Sequence, residues 1–219
     1  MDAAIRLFAR ASLVLCLFTA YSVARAEVPD HEAALRALKS SDAAERQRAA
    51  VRLAKVGSMD DVSALLAALR DTDDDVRAIA EAAIWTIWSR SGDPKVDKLF
   101  AQGLGEMRVG HYSEAIALFS QVIEMKPEFA EGWNKRATLY FLVEEYEKSL
   151  HDCDEVIKRN PQHFGALSGY GQIYLRLHEP EKALEYFKRA LAVNPNLDGL
   201  EVEIHILEQL LERQQKNRA

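Results

Sequence analysis

From residue 96 onward the chain repeats one arrangement: apolar residues spaced by three and four, interrupted at regular intervals by short polar stretches. That spacing gathers apolar side chains on one face of an α-helix, so each stretch predicts an amphipathic helix. Residues 130–143 and 146–159 are two such segments. In residues 200–214, Leu200, Ile204, Leu207 and Leu211 form a further stripe, with Glu201, Glu203, Glu208, Glu212 and Arg213 largely off it. This predicts a solvating end helix followed by a frayed tail over 215–219.

The apolar pattern is different at the start. Residues 11–23 form one short apolar run, preceded by Arg6 and Arg10 and followed by Ala24-Arg25-Ala26 and the polar Glu27-Val28-Pro29-Asp30. A basic head, a short apolar run and a small-residue exit predict a signal peptide over 1–26, cleaved after Ala26. The run is short for a spanning helix, which needs about 20 apolar residues. Contact with a membrane is therefore expected only if that segment stays uncleaved. Leu15 stands before Cys16 where lipoprotein processing wants Gly or Ala.

The helical segments are also periodic. Pro127, Pro161 and Pro195 recur at intervals of 34. In the same register Gly103, Ala137 and Gly171 share a column, as do Ala115, Ser149 and Ala183. Phe119, Cys153 and Phe187 form another, Val122, Val156 and Ala190 another, and Leu99, Trp133 and Leu167 open the three units. Tyr140 and Tyr174 match each other. Small residues in one column let the two helices of a pair approach, and each proline forces a turn after the second helix. This order of large and small positions resembles the tetratricopeptide repeat, over a domain at 95–197 with units 96–129, 130–163 and 164–197.

A weaker period of 31 pairs Leu38 with Leu69, Asp42 with Asp73, Arg46 with Arg77, Leu53 with Ile84 and Val56 with Ile87. The run 65–77 is similar to a short HEAT repeat of the lyase-associated type. There Val76-Arg77 keeps that family's opening of the second helix, and Glu45-Arg46 departs from it. Two such units in 27–92 are too few to stand alone as a solenoid, so they are expected to dock on the first tetratricopeptide unit, with a junction over 89–94. The fold expected is all-α: a right-handed α-α superhelix of HEAT-like pairs, three tetratricopeptide units and a capping helix with tail over 198–219.

Composition adds exclusions. The 219 residues hold only ten glycines and six prolines and carry a net charge of −6. Few turn formers argue against an all-β or collagen-like chain. The acidic balance argues against nucleic acid as a partner, because phosphate binding needs excess Lys and Arg. Loss of residues 1–26 removes three arginines and one aspartate and takes the charge from −6 to −8. It also leaves Cys153 as the one cysteine, in the Phe119/Phe187 column and therefore pointing into the core.

No Gly-rich phosphate loop, G-x-S-x-G, H-E-x-x-H or C-x-x-C occurs, so catalytic residues, metal ligands and cofactors are expected to be none. The carboxylates Asp71, Asp73, Asp74 and Asp75 are explained by helix capping and the helix dipole.

The resemblance implies a concave groove lined by the second, fifth, ninth, twelfth and thirteenth positions of each unit. These are Asp97, Phe100, Leu104, Met107 and Arg108; Glu131, Asn134, Thr138, Phe141 and Leu142; and Gly165, Ser168, Gln172, Leu175 and Arg176. The family's clamp for a chaperone's C-terminal carboxylate uses Lys and Asn where this chain has Phe100 and Leu104. An apolar strip of Phe100, Leu104, Met107, Phe141 and Leu175, flanked by Arg108, Arg176 and Asn134, suits an apolar-anchored peptide or helix. If Phe100 is buried, the binding face shifts towards Phe141, Gln172 and Arg176.

The function expected is a non-enzymatic, periplasmic or secreted scaffold that binds another protein. The alternative is a structural subunit of an envelope or secretion assembly, contacting its neighbours by convex and end surfaces. The sequence leaves the oligomeric state open.

Overall fold

The computed structural model describes residues 31–218; the signal segment expected over 1–26 lies outside the described residues. Every regular element among them is helical. The α-helices are α1 (His31–Ala37), α2 (Ala43–Val56), α3 (Val62–Ala68), α4 (Asp74–Trp88), α5 (Pro94–Val109) and α6 (Tyr112–Met125), then α7 (Ala130–Leu142), α8 (Tyr146–Arg159), α9 (Phe164–Arg176), α10 (Pro180–Val193) and α11 (Leu200–Arg218). They fall into two compact units, divided between Arg90 and Ser91.

In the first unit α2 packs on α1 and α4, and α3 packs on α4. Its core holds Leu53, Leu65, Leu69, Val76 and Ile84, all fully buried. Burial of each such side chain stabilises by about 1.5–3 kcal/mol. Asp42 caps α2 by accepting from Ala44 N (3.0 Å), and Asp73 caps α4 by accepting from Val76 N (2.9 Å). The arginine column repeats as faithfully. Arg46 donates to Ser40 O (2.9 Å) and Arg77 to Asp71 O (2.8 Å), each reaching back six residues. Glu45-Arg46 therefore departs in sequence while Arg46 keeps the bond. Arg46 also forks onto Asp71 with two bonds of 2.7 Å, which holds the Asp71 carboxyl below its ordinary range.

The second unit stacks antiparallel pairs in chain order: α5 with α6, α7 with α8, α9 with α10, then α11 on α10. The second helices begin at Tyr112, Tyr146 and Pro180 and end directly before Lys126-Pro127, Asn160-Pro161 and Asn194-Pro195. The prolines thus stop the helices where the pattern predicts. The turn inside each pair also repeats. Gly110, Glu144 and His178 stand 34 apart with φ of 85°, 62° and 59°, the left-handed conformation that closes a helix C-terminus.

The small-residue column is explained by what faces it. A Cβ on Gly103 would sit 2.8 Å from the Phe119 ring, and one on Gly171 would meet the Phe187 ring closer still. In the middle pair the same two columns hold Ala137 and Cys153. A smaller partner leaves room for the methyl group, so the columns covary by volume. Cys153 is buried with a free thiol, and burial pushes that thiol up and keeps it protonated.

Two expectations for the end of the chain need correction. α11 continues as helix to Arg218, so the tail is not frayed from 215. Nor is its outer face wholly solvating. Leu200 and Leu207 are buried against the preceding pair, but Val202, Ile206 and Leu210 form a second, exposed apolar stripe.

Candidate functional site: the face of α5, α7 and α9

The first helices of the three pairs supply all the residues expected to line a groove. Phe100 does not belong to it. It is 3% exposed, and its ring packs on Phe119 (5.5 Å) and Phe129 (5.2 Å) within its own unit. A large ring at this position fills the space between α5 and α6 rather than facing a ligand. Leu104 and Met107 are half-buried against that same cluster. The apolar strip is therefore interrupted at its start, and of the five groove positions expected on α5 Arg108 is the exposed one.

Further along, polar side chains form a buried row. Asn134, Thr138, Ser168 and Gln172 are all buried. Thr138 Oγ1 donates to Asn134 O in its own helix (2.9 Å), which tucks the hydroxyl away. Phe141 is buried with its ring against Tyr146 (5.9 Å) and the Arg176 guanidinium 5.9 Å above its face. This contact joins the second repeat to the third, as a cation–π pair. Leu175 is half-buried on the C-terminal cluster, and Arg176 is exposed.

Beside Asn134 lies a charged cluster that the sequence analysis did not assemble. Glu131 and His163 are both buried. Glu131 Oε2 accepts from Asn134 Nδ2 (3.1 Å) and bonds His163 Nε2 (2.9 Å), and Lys135 Nζ stands 2.8 Å from Oε1. His163 also caps α9, with Nδ1 accepting from Ala166 N (3.0 Å). That bond assigns the ring proton to Nε2, which donates to Glu131. Burial pushes the Glu131 carboxyl up, but Lys135 and the His163 bond more than offset it and hold the group at about 2. Both nitrogens of His163 are committed, so it has no lone pair for general-base work. The cluster is a strut between α7 and the start of α9.

A second buried pair braces the middle repeat. Arg136 forks onto Asp152 with bonds of 2.7 and 2.8 Å and donates to Ser120 Oγ (3.0 Å). Its guanidinium also lies over the Trp133 and Tyr140 rings. One turn away Ser149 Oγ donates to Ala137 O (2.7 Å). Asp152 is thus committed to Arg136, and Asp154 accepts from the Tyr170 hydroxyl.

With this geometry in hand, comparison with known proteins is direct. Sequence profiles described as tetratricopeptide repeat match residues 100–152 and 166–197. Those stretches of the second unit carry tetratricopeptide repeats. A TPR repeat-containing protein of Rhizobium etli is 29% identical over 65% of this chain and 70% of its own length. The small glutamine-rich tetratricopeptide repeat-containing protein of Dictyostelium discoideum is 29% identical over 56% of this chain, but this chain spans only 37% of that protein. Among solved structures, the first TPR of Spaghetti (RPAP3) bound to the HSP90 peptide SRMEEVD superposes with a TM-score of 0.52 at 24% identity, covering 54% of this chain and 94% of that one. At that identity the likeness shows the fold, a helical-repeat solenoid. The first helices thus carry the buried polar side chains Asn134, Thr138, Ser168 and Gln172, and two exposed arginines near their C-terminal ends, Arg108 and Arg176.

Proposed function

We propose that the protein is a non-enzymatic scaffold that binds a segment of another protein along the face of α5, α7 and α9, and that it works outside the cytoplasm. The observation that carries the reading is the row Asn134, Thr138, Ser168 and Gln172, together with Arg108 and Arg176. Asn134 and Thr138 are held by Glu131 and by their own helix, which leaves the Ser168 hydroxyl and the Gln172 amide to meet the backbone of a bound segment, with the arginines fixing its register. The RPAP3 structure holds an HSP90 peptide by its title. Such a C-terminal carboxylate is not the ligand proposed here, because Phe100 is buried in the core and Leu104 packs on it where the clamp needs Lys and Asn.

The exported location rests on the pattern of residues 1–26. The helix pairs of the first unit, with their 31-residue spacing and matched arginine bonds, support a HEAT-like extension of the scaffold. Photo-crosslinkers placed in the cell at Arg108 and Arg176 should capture the same discrete partner, and one at the exposed Glu185 of α10 should not. Equal capture at all three positions would overturn the groove reading. Mass spectrometry of the accumulated protein should find Glu27 as its first residue; a chain that keeps residues 1–26 would overturn the cleavage.

A further inference from the structure

α11 carries an apolar stripe that nothing in its own unit uses. Leu200 and Leu207 face the preceding pair, while Val202, Ile206 and Leu210, spaced by four, are 62%, 59% and 43% exposed. The end helix of a solenoid closes the stack by keeping its outer face polar. Here the middle of that face offers two β-branched residues and a leucine, as an interior helix would.

The charges around the stripe say what fits it. On the side of the stripe the start of the helix is acidic, with Glu203 about 60° from it and Asp198 just before the helix begins, while Glu201 points away. Its end is basic, with Arg213 and Lys216. Glu208 is drawn back to Lys188 Nζ (2.6 Å), and Glu212 lies about 120° round the helix from the stripe. A parallel neighbour of the same sequence would set like charges side by side. An antiparallel one sets the basic end against the acidic start twice over, and it also opposes the helix dipoles favourably.

We propose that a second copy of this chain covers the stripe, α11 packing antiparallel on α11 with Ile206 at the centre. Ile206 then meets its own counterpart, and Val202 of each copy meets Leu210 of the other. The two scaffolds join end to end by a two-fold axis, an isologous contact that closes as a dimer. The surface is separate from the face of α5, α7 and α9, so it stands whether or not that face binds a partner.

Sedimentation equilibrium of the protein, purified as the cell accumulates it, tests this. The mass should rise with concentration from one chain towards two. Ile206→Glu, at an exposed position, should stay at one chain with its helicity unchanged, and its melting temperature should match the parent's only at dilution, where both are single chains. Oxidation of cysteine variants then fixes the geometry, because the native Cys153 is buried. Ile206→Cys should form disulfide-linked dimers above the level of the parent protein. Val202→Cys alone should not, while Val202→Cys combined with Leu210→Cys should. A wild type that stays at one chain, a dimer that survives Ile206→Glu, or Val202→Cys that cross-links as well as Ile206→Cys would each overturn the proposal.

Discussion

The middle repeat and its two neighbours share one backbone register and hold their helices together differently. In the first and third repeats a phenylalanine of the second helix, Phe119 or Phe187, fills a space that only glycine leaves open. In the middle repeat Ala137 and Cys153 fill less volume between the helices. There the pair is tied by polar groups instead: the Arg136–Asp152 fork, the Ser149–Ala137 bond, and the Glu131–Lys135–His163 cluster that runs on to α9. Packing by rings is insensitive to pH and tolerant of charge changes nearby. Packing by buried ion pairs is the reverse, since loss of one partner leaves a desolvated charge. The three repeats should therefore fail by different routes, and the largest effect should come from the middle one.

Asp152→Ala leaves Arg136 largely buried with Ser120, two aromatic faces and the more distant Glu124 carboxylate for company. It should cost about 4 kcal/mol in urea unfolding, the scale for breaking a buried pair. The double change Arg136→Met with Asp152→Leu should recover most of that. If Asp152→Ala costs no more than a surface substitution, the fork is ornamental and the comparison with the ring-packed repeats collapses.

The acid limit comes next. Glu131 is held at about 2 in the fold against an ordinary value of 4.5. A depressed carboxyl contributes stability that is fully present above the unfolded value and is lost as pH falls through the folded one. For Glu131 the window runs from about pH 4.5 down to about 2, and the shift corresponds to roughly 3 kcal/mol. Other carboxylates titrate there too, so the measurement is a difference. Stability curves of wild type and Glu131→Gln should converge across that window; parallel curves would show that the cluster does not depress Glu131.

How much of this could be read along the chain depends on how far apart the cooperating residues lie. The helix ends were legible because the prolines and the three–four spacing act locally. The Gly103/Gly171 and Phe119/Phe187 columns were legible as columns. Their coupling was not, because it spans sixteen residues and needs the ring to be seen against the glycine. The Glu131 cluster was hidden for a similar reason. Glu131 reads along the chain as a groove position, and His163 arrives from 32 residues away at the position that Phe129 fills in the repeat before. Phe100 misled in the opposite direction: its register position faces a groove by resemblance, yet Phe119 and Phe129 enclose it. For α11 the buried stripe was found, and the second stripe on its far side went unread.

The coupled columns give a sharper version of the comparison. Cys153→Phe puts a ring against the Ala137 methyl and should cost about 2 kcal/mol by overpacking. Ala137→Gly alone should cost about 1 kcal/mol, the helix-propensity loss. Together they rebuild the arrangement of the neighbouring repeats, so the double variant should be more stable than the sum of the two by more than 1 kcal/mol. Additive losses would mean that the columns do not meet in the middle repeat. Gly171→Ala, with the ring already in place, should cost about 2 kcal/mol and bring no benefit from added helix propensity.

The smallest effect lies in the turns, where the repeats differ by one residue. Gly110, Glu144 and His178 occupy the same left-handed position. A side chain with a Cβ costs about 1 kcal/mol there, and glycine does not incur that strain. Glu144 is exposed, and what the turn uses is its backbone N–H, which donates to Phe141 O (3.1 Å). Glycine would keep that bond. Glu144→Gly should therefore raise stability, by up to about 0.5 kcal/mol after the greater freedom of glycine in the unfolded chain is subtracted. Glu144→Ala removes the charge and keeps the strain, so it should be neutral. That pair of variants separates backbone strain from electrostatics: equal gains from both would assign the effect to the carboxylate, which sits one residue from Glu145 and repels it. A gain from glycine alone would mean that the middle repeat, already dependent on buried charge inside, also carries turn strain that the first repeat escapes through Gly110.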